Sequence, residues 1–112
     1  IKGDGREKLD FTYIDDLCSG VFKIIQNQTK STNRTFNLTF GSARSINDLR
    51  KLIKKKFKNQ IFVPVSRNKL MAIRGTLSIK KARRMLNYNP KFDIKKGFEK
   101  YHQWYKKNYA NK

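Results

Sequence analysis

Cysteine is scarce in this chain of 112 residues, in which Cys18 is the only one. A lone cysteine excludes an intramolecular disulfide and a cysteine-based metal site within one chain, and it is typical of a reducing compartment. No apolar run is long enough to cross a bilayer, and residues 1–5 lack the h-region and cleavage signature of a signal peptide. The sequence therefore predicts a cytoplasmic protein with no membrane partner and no bound metal.

Acidic side chains are few, with 8 Asp and Glu against 27 Lys and Arg, and the formal net charge is +19. The excess is uneven, because residues 1–28 carry four basic and five acidic side chains and residues 29–112 carry twenty-three basic and three acidic. Such a charge predicts nonspecific affinity for polyanions. One reading is therefore a small basic nucleic-acid-binding module that uses residues 54–58 and 80–84, although no RRM, KH or zinc-finger signature supports it.

The apolar pattern predicts one small folded unit of mixed α/β class. Eight Phe, five Tyr and one Trp argue against disorder, and 112 residues allow one domain with a modest core. The periodicity predicts helices that begin near Asp15, Ser45, Ser78 and Asp93, separated by a polar loop over residues 27–34. It also predicts strands over residues 11–14, 35–40 and 61–65. The expected order is β-α-β-α-β-α-α.

Several chemically distinctive side chains have a structural interpretation at this stage. Asp15 and Asp16 complement the dipole at a helix start, and Cys18 is expected to be a small buried side chain. His102 has no nearby metal-ligand partner in the sequence and is expected to pack or lie on a helix surface. The helical spacing of the aromatic residues near the C-terminus favours a core stripe: Tyr101, Trp104, Tyr105 and Tyr109.

Several short segments, taken in order, resemble a known family. Residues 3–5 read G-D-G and residues 10–17 read D-F-T-Y-I-D-D-L, followed by F-N-L-T-F-G at 36–41 with S-I at 45–46. The last segments are K-A-R at 81–83, L-N-Y-N-P at 86–90 and G-F-E-K-Y-H-Q-W at 97–104. Together they are similar to the C-terminal portion of the extended short-chain dehydrogenase/reductases, in the NAD-dependent nucleotide-sugar epimerase and dehydratase family.

The resemblance implies a Rossmann-type fold in which residues 1–112 form a single C-terminal substrate-binding region, without the N-terminal dinucleotide-binding part. NAD would be the cofactor of the complete parent enzyme. The glycines of this chain match neither G-x-x-G-x-x-G nor G-x-G-x-x-G, and no Tyr has a Lys four residues later. We therefore expect no cofactor-binding and no catalytic residue, and a chain that is inactive alone.

The function that the resemblance leaves to this chain is the binding of a nucleotide-sugar. Arg can bind the diphosphate of such a substrate through bidentate hydrogen bonds. Arg74 is the first candidate and Arg67 the second, since both lie in the irregular segment where the family places a diphosphate-contacting arginine. Leu9 stands where many members have a phosphate-binding Arg, so that contact is missing or supplied elsewhere. Whether the parent epimerises or dehydrates stays open. Surfaces shaped for the N-terminal part are expected to be exposed as apolar patches, which predicts low solubility, association or dependence on a partner.

Overall fold

The computed structural model describes residues 3–68, 70 and 72–109. These residues form two very short strands and five helices, whose bounds are β1 Lys8–Leu9, α1 Ile14–Gln26, α2 Gln28–Ser31, β2 Arg44–Ser45, α3 Ile46–Lys56, α4 Lys80–Leu86 and α5 Ile94–Tyr109. The strands β1 and β2 pair in antiparallel fashion, with Lys8 opposite Ser45 and Leu9 opposite Arg44.

The longer helices begin where local chemistry predicts. At α3, the Ser45 hydroxyl accepts a hydrogen bond from the Asp48 N–H, and the Asp48 carboxylate accepts one from the Ser45 N–H, both at 3.1 Å. This is the reciprocal capping box expected from S-x-x-D. At α5, the Asp93 carboxylate accepts the Lys96 N–H at 2.8 Å. Both starts are therefore confirmed.

The start of α4 differs from the prediction. The N-cap is Ile79, with no side-chain cap, and the Ser78 carbonyl instead accepts a hydrogen bond from the Asn37 side chain at 3.0 Å. Ile79 is buried, so its packing rather than a hydroxyl cap determines where this helix begins. Asn87 ends the helix in the left-handed conformation, at φ 53°, which Asn tolerates better than most residues.

The predicted strands are the main correction. Residues 11–13 and 35–40 form no ladder in the described part of the chain, and within 61–65 only Val65 forms a bridge, accepting the Gly3 N–H at 2.7 Å. A β-prone segment becomes a strand only when a neighbour pairs with its backbone groups over several residues, and within the described residues no such ladder forms beside these segments. The predicted loop over 27–34 contains α2, which the Ser31 hydroxyl ties to the Ile24 carbonyl at 2.9 Å.

The buried core is small and lies around α4. It consists of Ile79, Ala82, Leu86 and Tyr88, with Phe36 and Leu38 packed against it. Helix α1 approaches this core through a glycine: a Cβ at Gly20 would lie 2.8 Å from Leu38 and 3.1 Å from the Tyr88 ring. The close approach of α1 therefore depends on the absence of a side chain at this position.

The molecule is a thin slab of 51 × 40 × 19 Å with a radius of gyration of 16.7 Å. A compact domain of this length would have a radius of gyration of about 13 Å. The accessible surface is 8810 Å², whereas a compact monomer of this mass would expose roughly 6,500 Å². Much apolar surface is left exposed, above all on α1. Within the described part of the chain, no helix combines the length and apolarity needed to cross a bilayer.

Candidate functional site

The two predicted arginines lie in one groove. Arg67 and Arg74 line a depression of about 340 Å³ together with Arg6, Lys8, Asp4 and Glu7. We call this depression the arginine groove. The irregular segment that carries both arginines thus folds back against residues 3–8, which precede α1 by only a few residues.

Arg67 is held in place by contacts inside the protein. Its guanidinium Nη2 donates a hydrogen bond to the Ala72 carbonyl at 3.0 Å and lies 4.0 Å from the Glu7 carboxylate. The turn at Gly3, where φ is +73°, packs beside the same side chain, because a Cβ at Gly3 would lie 3.6 Å from Arg67. Since its orientation is already fixed, Arg67 would lose little conformational freedom on binding a ligand.

Arg74 is different, because its side chain is exposed to solvent. The groove also contains the exposed cations Arg6 and Lys8, and Arg6 is paired with Asp4 at 3.2 Å. Four cations therefore face two carboxylates, which leaves an excess of positive charge suited to an anionic ligand. The groove offers binding chemistry, with planar donors that match phosphate oxygens.

Asp16 has a role that the sequence interpretation missed. Its side chain is 3% exposed, and its two oxygens accept the N–H groups of Lys91 and Phe92 at 2.8 and 2.9 Å. This carboxylate therefore joins α1 to the segment that leads into α5, beyond any interaction with the dipole of its own helix. Asp10 also has a role that was missed, since it accepts hydrogen bonds from residues far away in the sequence. Both residues belong to the D-F-T-Y-I-D-D-L segment, but their partners lie far away along the chain, so the segment alone does not show which groups they bind.

A second depression, of about 290 Å³, lies between the start of α1 and helix α5. Its walls are mainly apolar, and they include Phe11, Tyr13, Ile14, Phe98 and Tyr101. It shares Ile14 with the exposed apolar side of α1. The apolar side of α1 consists of exposed side chains at helical spacing: Ile14, Leu17, Val21, Phe22 and Ile25.

Three expectations for individual side chains meet different outcomes. Cys18 is exposed rather than buried, because it lies on the exposed apolar side of α1. His102 packs as expected, with its ring centroid 5.3 Å from that of Phe57 and 6.3 Å from that of Phe98. The aromatic stripe of α5 is not a core: the residues concerned contact one another but are exposed, namely Tyr101, Trp104, Tyr105 and Tyr109. Helical spacing gives a common face but does not supply a partner for it.

Candidate ligands for a metal do not gather anywhere in the described ranges, where no group of three His, Cys, Asp or Glu side chains is suitably placed. Burial raises the pKa of Tyr88 to about 12, and the charges of Asp16 and Asp10 add to this effect. The Tyr88 hydroxyl donates to the Thr39 carbonyl at 3.2 Å. A phenol that is neutral at ordinary pH and turned into the core has a structural role.

Comparisons with known proteins identify related sequences. No protein-family model matches the chain. A UDP-glucuronate 4-epimerase from Thermodesulfobacterium geofontis is 33% identical over 113 residues, which cover 96% of this chain and 33% of that protein. UDP-glucuronate 4-epimerase 4 of Arabidopsis thaliana is 29% identical over 115 residues, which cover 90% of this chain and 26% of that protein. The chain thus spans about a quarter to a third of the length of these relatives.

Solved structures of epimerases match the fold of this chain. An epimerase from the methanogen Methanothermobacter thermautotrophicus matches 99% of this chain, and 33% of its own, with a TM-score of 0.90 and 28% identity. The UDP-glucuronic acid 4-epimerase of Bacillus cereus, solved in complex with NAD, matches with a TM-score of 0.77 at 24% identity. The α/β class and the Rossmann-type fold are therefore confirmed. In sequence and in structure, this chain matches the C-terminal portion of NAD-dependent epimerases of the extended short-chain dehydrogenase/reductase family.

Proposed function

We propose that this chain is the substrate-binding portion of an NAD-dependent nucleotide-sugar epimerase or dehydratase, in which the arginine groove binds the diphosphate of the nucleotide-sugar. The observation that carries the proposal is the meeting of Arg67 and Arg74, with two further cations, in one groove of a chain with this fold. The relatives named above act, by their names, on UDP-glucuronate. A UDP-sugar is therefore the substrate class to test first.

The residues of this chain do not fit NAD by themselves. Gly20 and Gly97 lie within helices and allow close packing against Leu38 and Tyr13, whereas Gly41 lies in a turn against Ile79. None lies where a glycine-rich turn leads from a strand into a helix N-terminus, which is how a pyrophosphate is bound in a Rossmann fold. In our proposal NAD is bound by a separate dinucleotide-binding part, and hydride transfer takes place in the complete enzyme.

The apolar side of α1 is the surface that this dinucleotide-binding part would cover. It exposes contiguous apolar side chains, among them Phe22 and Ile25, each 58% exposed. Soluble monomers rarely leave such a patch uncovered unless it is an interaction surface. The excess surface of the slab and the short span of the chain relative to its relatives support the same partner.

The proposal is tested by calorimetric titration of the chain with UDP and with uridine at low salt. We expect UDP to bind and uridine to bind far more weakly, since the diphosphate supplies the contacts with arginine. Arg74→Ala should weaken UDP binding about tenfold, and Arg74→Lys should restore only part of it because Lys lacks the bidentate fork. Arg84→Ala is the matched control, since it removes another exposed cation, one that lies on α4 outside the groove. Equal losses for Arg74→Ala and Arg84→Ala would show that only net charge matters.

The second candidate, a nucleic-acid-binding module, is favoured by one specific feature. Helix α3 borders two adjoining depressions of about 370 Å³ each, which share Lys51 and are lined by further cations: Arg44, Arg50, Lys54, Lys55 and Lys95. A linear polyanion could follow this surface. A filter-binding titration with single-stranded RNA near physiological salt tests this candidate. Absence of binding at that salt concentration would eliminate the nucleic-acid-binding module.

A further inference from the structure

The carboxylate of Asp10 joins three separate parts of the chain. One oxygen accepts hydrogen bonds from the Gly41 N–H at 3.1 Å and the Ser42 N–H at 3.4 Å. The other accepts them from the Thr39 hydroxyl at 2.9 Å and the Leu77 N–H at 3.2 Å. Asp10 is thus bonded both to the turn after residue 38 and to the end of the arginine-bearing segment.

The bond to Leu77 matters because Leu77 lies three residues after Arg74. The other end of the segment is attached to residues 3–7, through Gly3 bonded to Val65 and through Arg67 near Glu7. Asp10 therefore holds the end of the segment that carries the exposed Arg74, and Glu7 lies beside the end that carries Arg67. A second bond strengthens the Asp10 end, since the Thr76 hydroxyl accepts the Ala43 N–H at 2.8 Å.

We propose that Asp10 is a positioning residue of the arginine groove, which holds Leu77 and thereby places Arg74 for a nucleoside diphosphate. The inference rests on the proposed function for the identity of the ligand. Asp10 itself does not line the groove, and its two oxygens are engaged with protein donors. Its influence on a ligand is therefore indirect.

A carboxylate suits this position for a chemical reason. Four donors converge on two oxygens, and an ionised carboxylate has enough lone pairs to accept all of them and has no hydrogen of its own to turn toward them. In Asp10→Asn, one of the two oxygens becomes an NH2 group, which would face either the donors of Gly41 and Ser42 or those of Thr39 and Leu77. The substitution keeps the shape of the side chain but removes half of the accepting capacity.

The test has two measurements on the full chain. Hydrogen exchange follows the backbone amides of residues 72–77, and a UDP titration follows the groove. We expect Asp10→Asn to accelerate exchange at Leu77 and to weaken UDP binding about tenfold, because a misplaced bidentate donor loses its contacts. Asp16→Asn is the matched control: it alters a carboxylate that also accepts two backbone N–H groups but binds a segment elsewhere. It should lower stability without changing exchange at 72–77 or UDP affinity.

A double substitution separates positioning from general destabilisation. If Asp10 acts through Arg74, adding Asp10→Asn to Arg74→Ala should change UDP affinity by less than about twofold. Leu77→Pro removes the donor itself while leaving Asp10 and the turn at 39–42 intact, so it should reproduce the loss of affinity even if Asp10→Asn fails to fold.

Three results would overturn the inference: unchanged exchange at Leu77 in Asp10→Asn, additive losses in the double variant, or wild-type UDP affinity in Leu77→Pro. Absence of UDP binding by the wild-type chain is a different outcome, since it contradicts the proposed function. In that case exchange at residues 72–77 still decides whether Asp10 fixes this segment.

Discussion

Removal of the Asp16 carboxylate should destabilise this protein far more than removal of its neighbour. In Asp16→Ala, the N–H groups of Lys91 and Phe92 lose acceptors that now lie at 2.8 and 2.9 Å. Each hydrogen bond to a charged group contributes about 1.5–3 kcal/mol, and a buried donor left without a partner adds to the loss. We therefore expect the free energy of unfolding to fall by about 3–5 kcal/mol.

Such a loss is a large share of the stability of a small domain, which is typically about 5–15 kcal/mol. Urea denaturation followed by circular dichroism measures it, and a constant m value would show that the change lies in stability. Asp15→Ala is the control, because Asp15 occupies the same first turn of α1 but is exposed. Its loss should be confined to the helix-dipole effect, about 0.3–1 kcal/mol.

Asp16→Asn keeps the shape of the side chain and one acceptor oxygen, so it should fall between the wild type and Asp16→Ala. It also provides a measurable variant if Asp16→Ala does not fold. Equal losses for Asp15→Ala and Asp16→Ala would refute the reasoning, because they would mean that the two tertiary hydrogen bonds contribute nothing beyond helix electrostatics.

Three further predictions concern packing, alkaline pH and association. Gly20→Ala should lower the free energy of unfolding, because overpacking against Leu38 costs about 1–3 kcal/mol whereas the gain in helix propensity is only about 1 kcal/mol. A higher urea midpoint for this variant would contradict the prediction. Burial raises the pKa of Tyr88 to about 12, so the stability that the neutral phenol contributes is fully present below pH 10 and is lost as pH rises toward 12. In Tyr88→Phe this part of the alkaline loss of stability should be absent. An alkaline stability profile identical to that of the wild type would refute the prediction. Replacing Val21 and Ile25 by Ser should reduce self-association, measured by sedimentation velocity, and should change the urea midpoint little because both side chains are exposed. Undiminished association of this variant would exclude the apolar side of α1 as its cause.

Local signals were enough to predict much of the helical structure. The capping box at Ser45 and the carboxylate cap at Asp93 both involve groups three residues apart. Their energetics do not depend on the rest of the fold. The order of the motifs was likewise sufficient to predict a resemblance to one family, and the related sequences and structures match the chain to the same family.

The same kind of reasoning was less successful for strands and for burial. A segment such as 35–40 has strand-like residues, but its state depends on whether another strand is present to pair with it. The aromatic stripe of α5 shows the same limitation, since Tyr101 and Trp104 share a helix face but remain 51% and 50% exposed. Periodicity predicts which side chains share a face, and only packing determines whether that face becomes a core.

The sequence by itself determined the family, the starts of α3 and α5, and the segment that carries Arg67 and Arg74. Tertiary structure alone decided that these arginines share a groove with residues 3–8, and that Asp10 and Asp16 hold distant segments together. The physical reason is the range of the interactions. Caps and helix periods involve neighbours along the chain, whereas the bonds of Asp10 and Asp16 join groups 29 to 76 residues apart, and no local pattern records such partners.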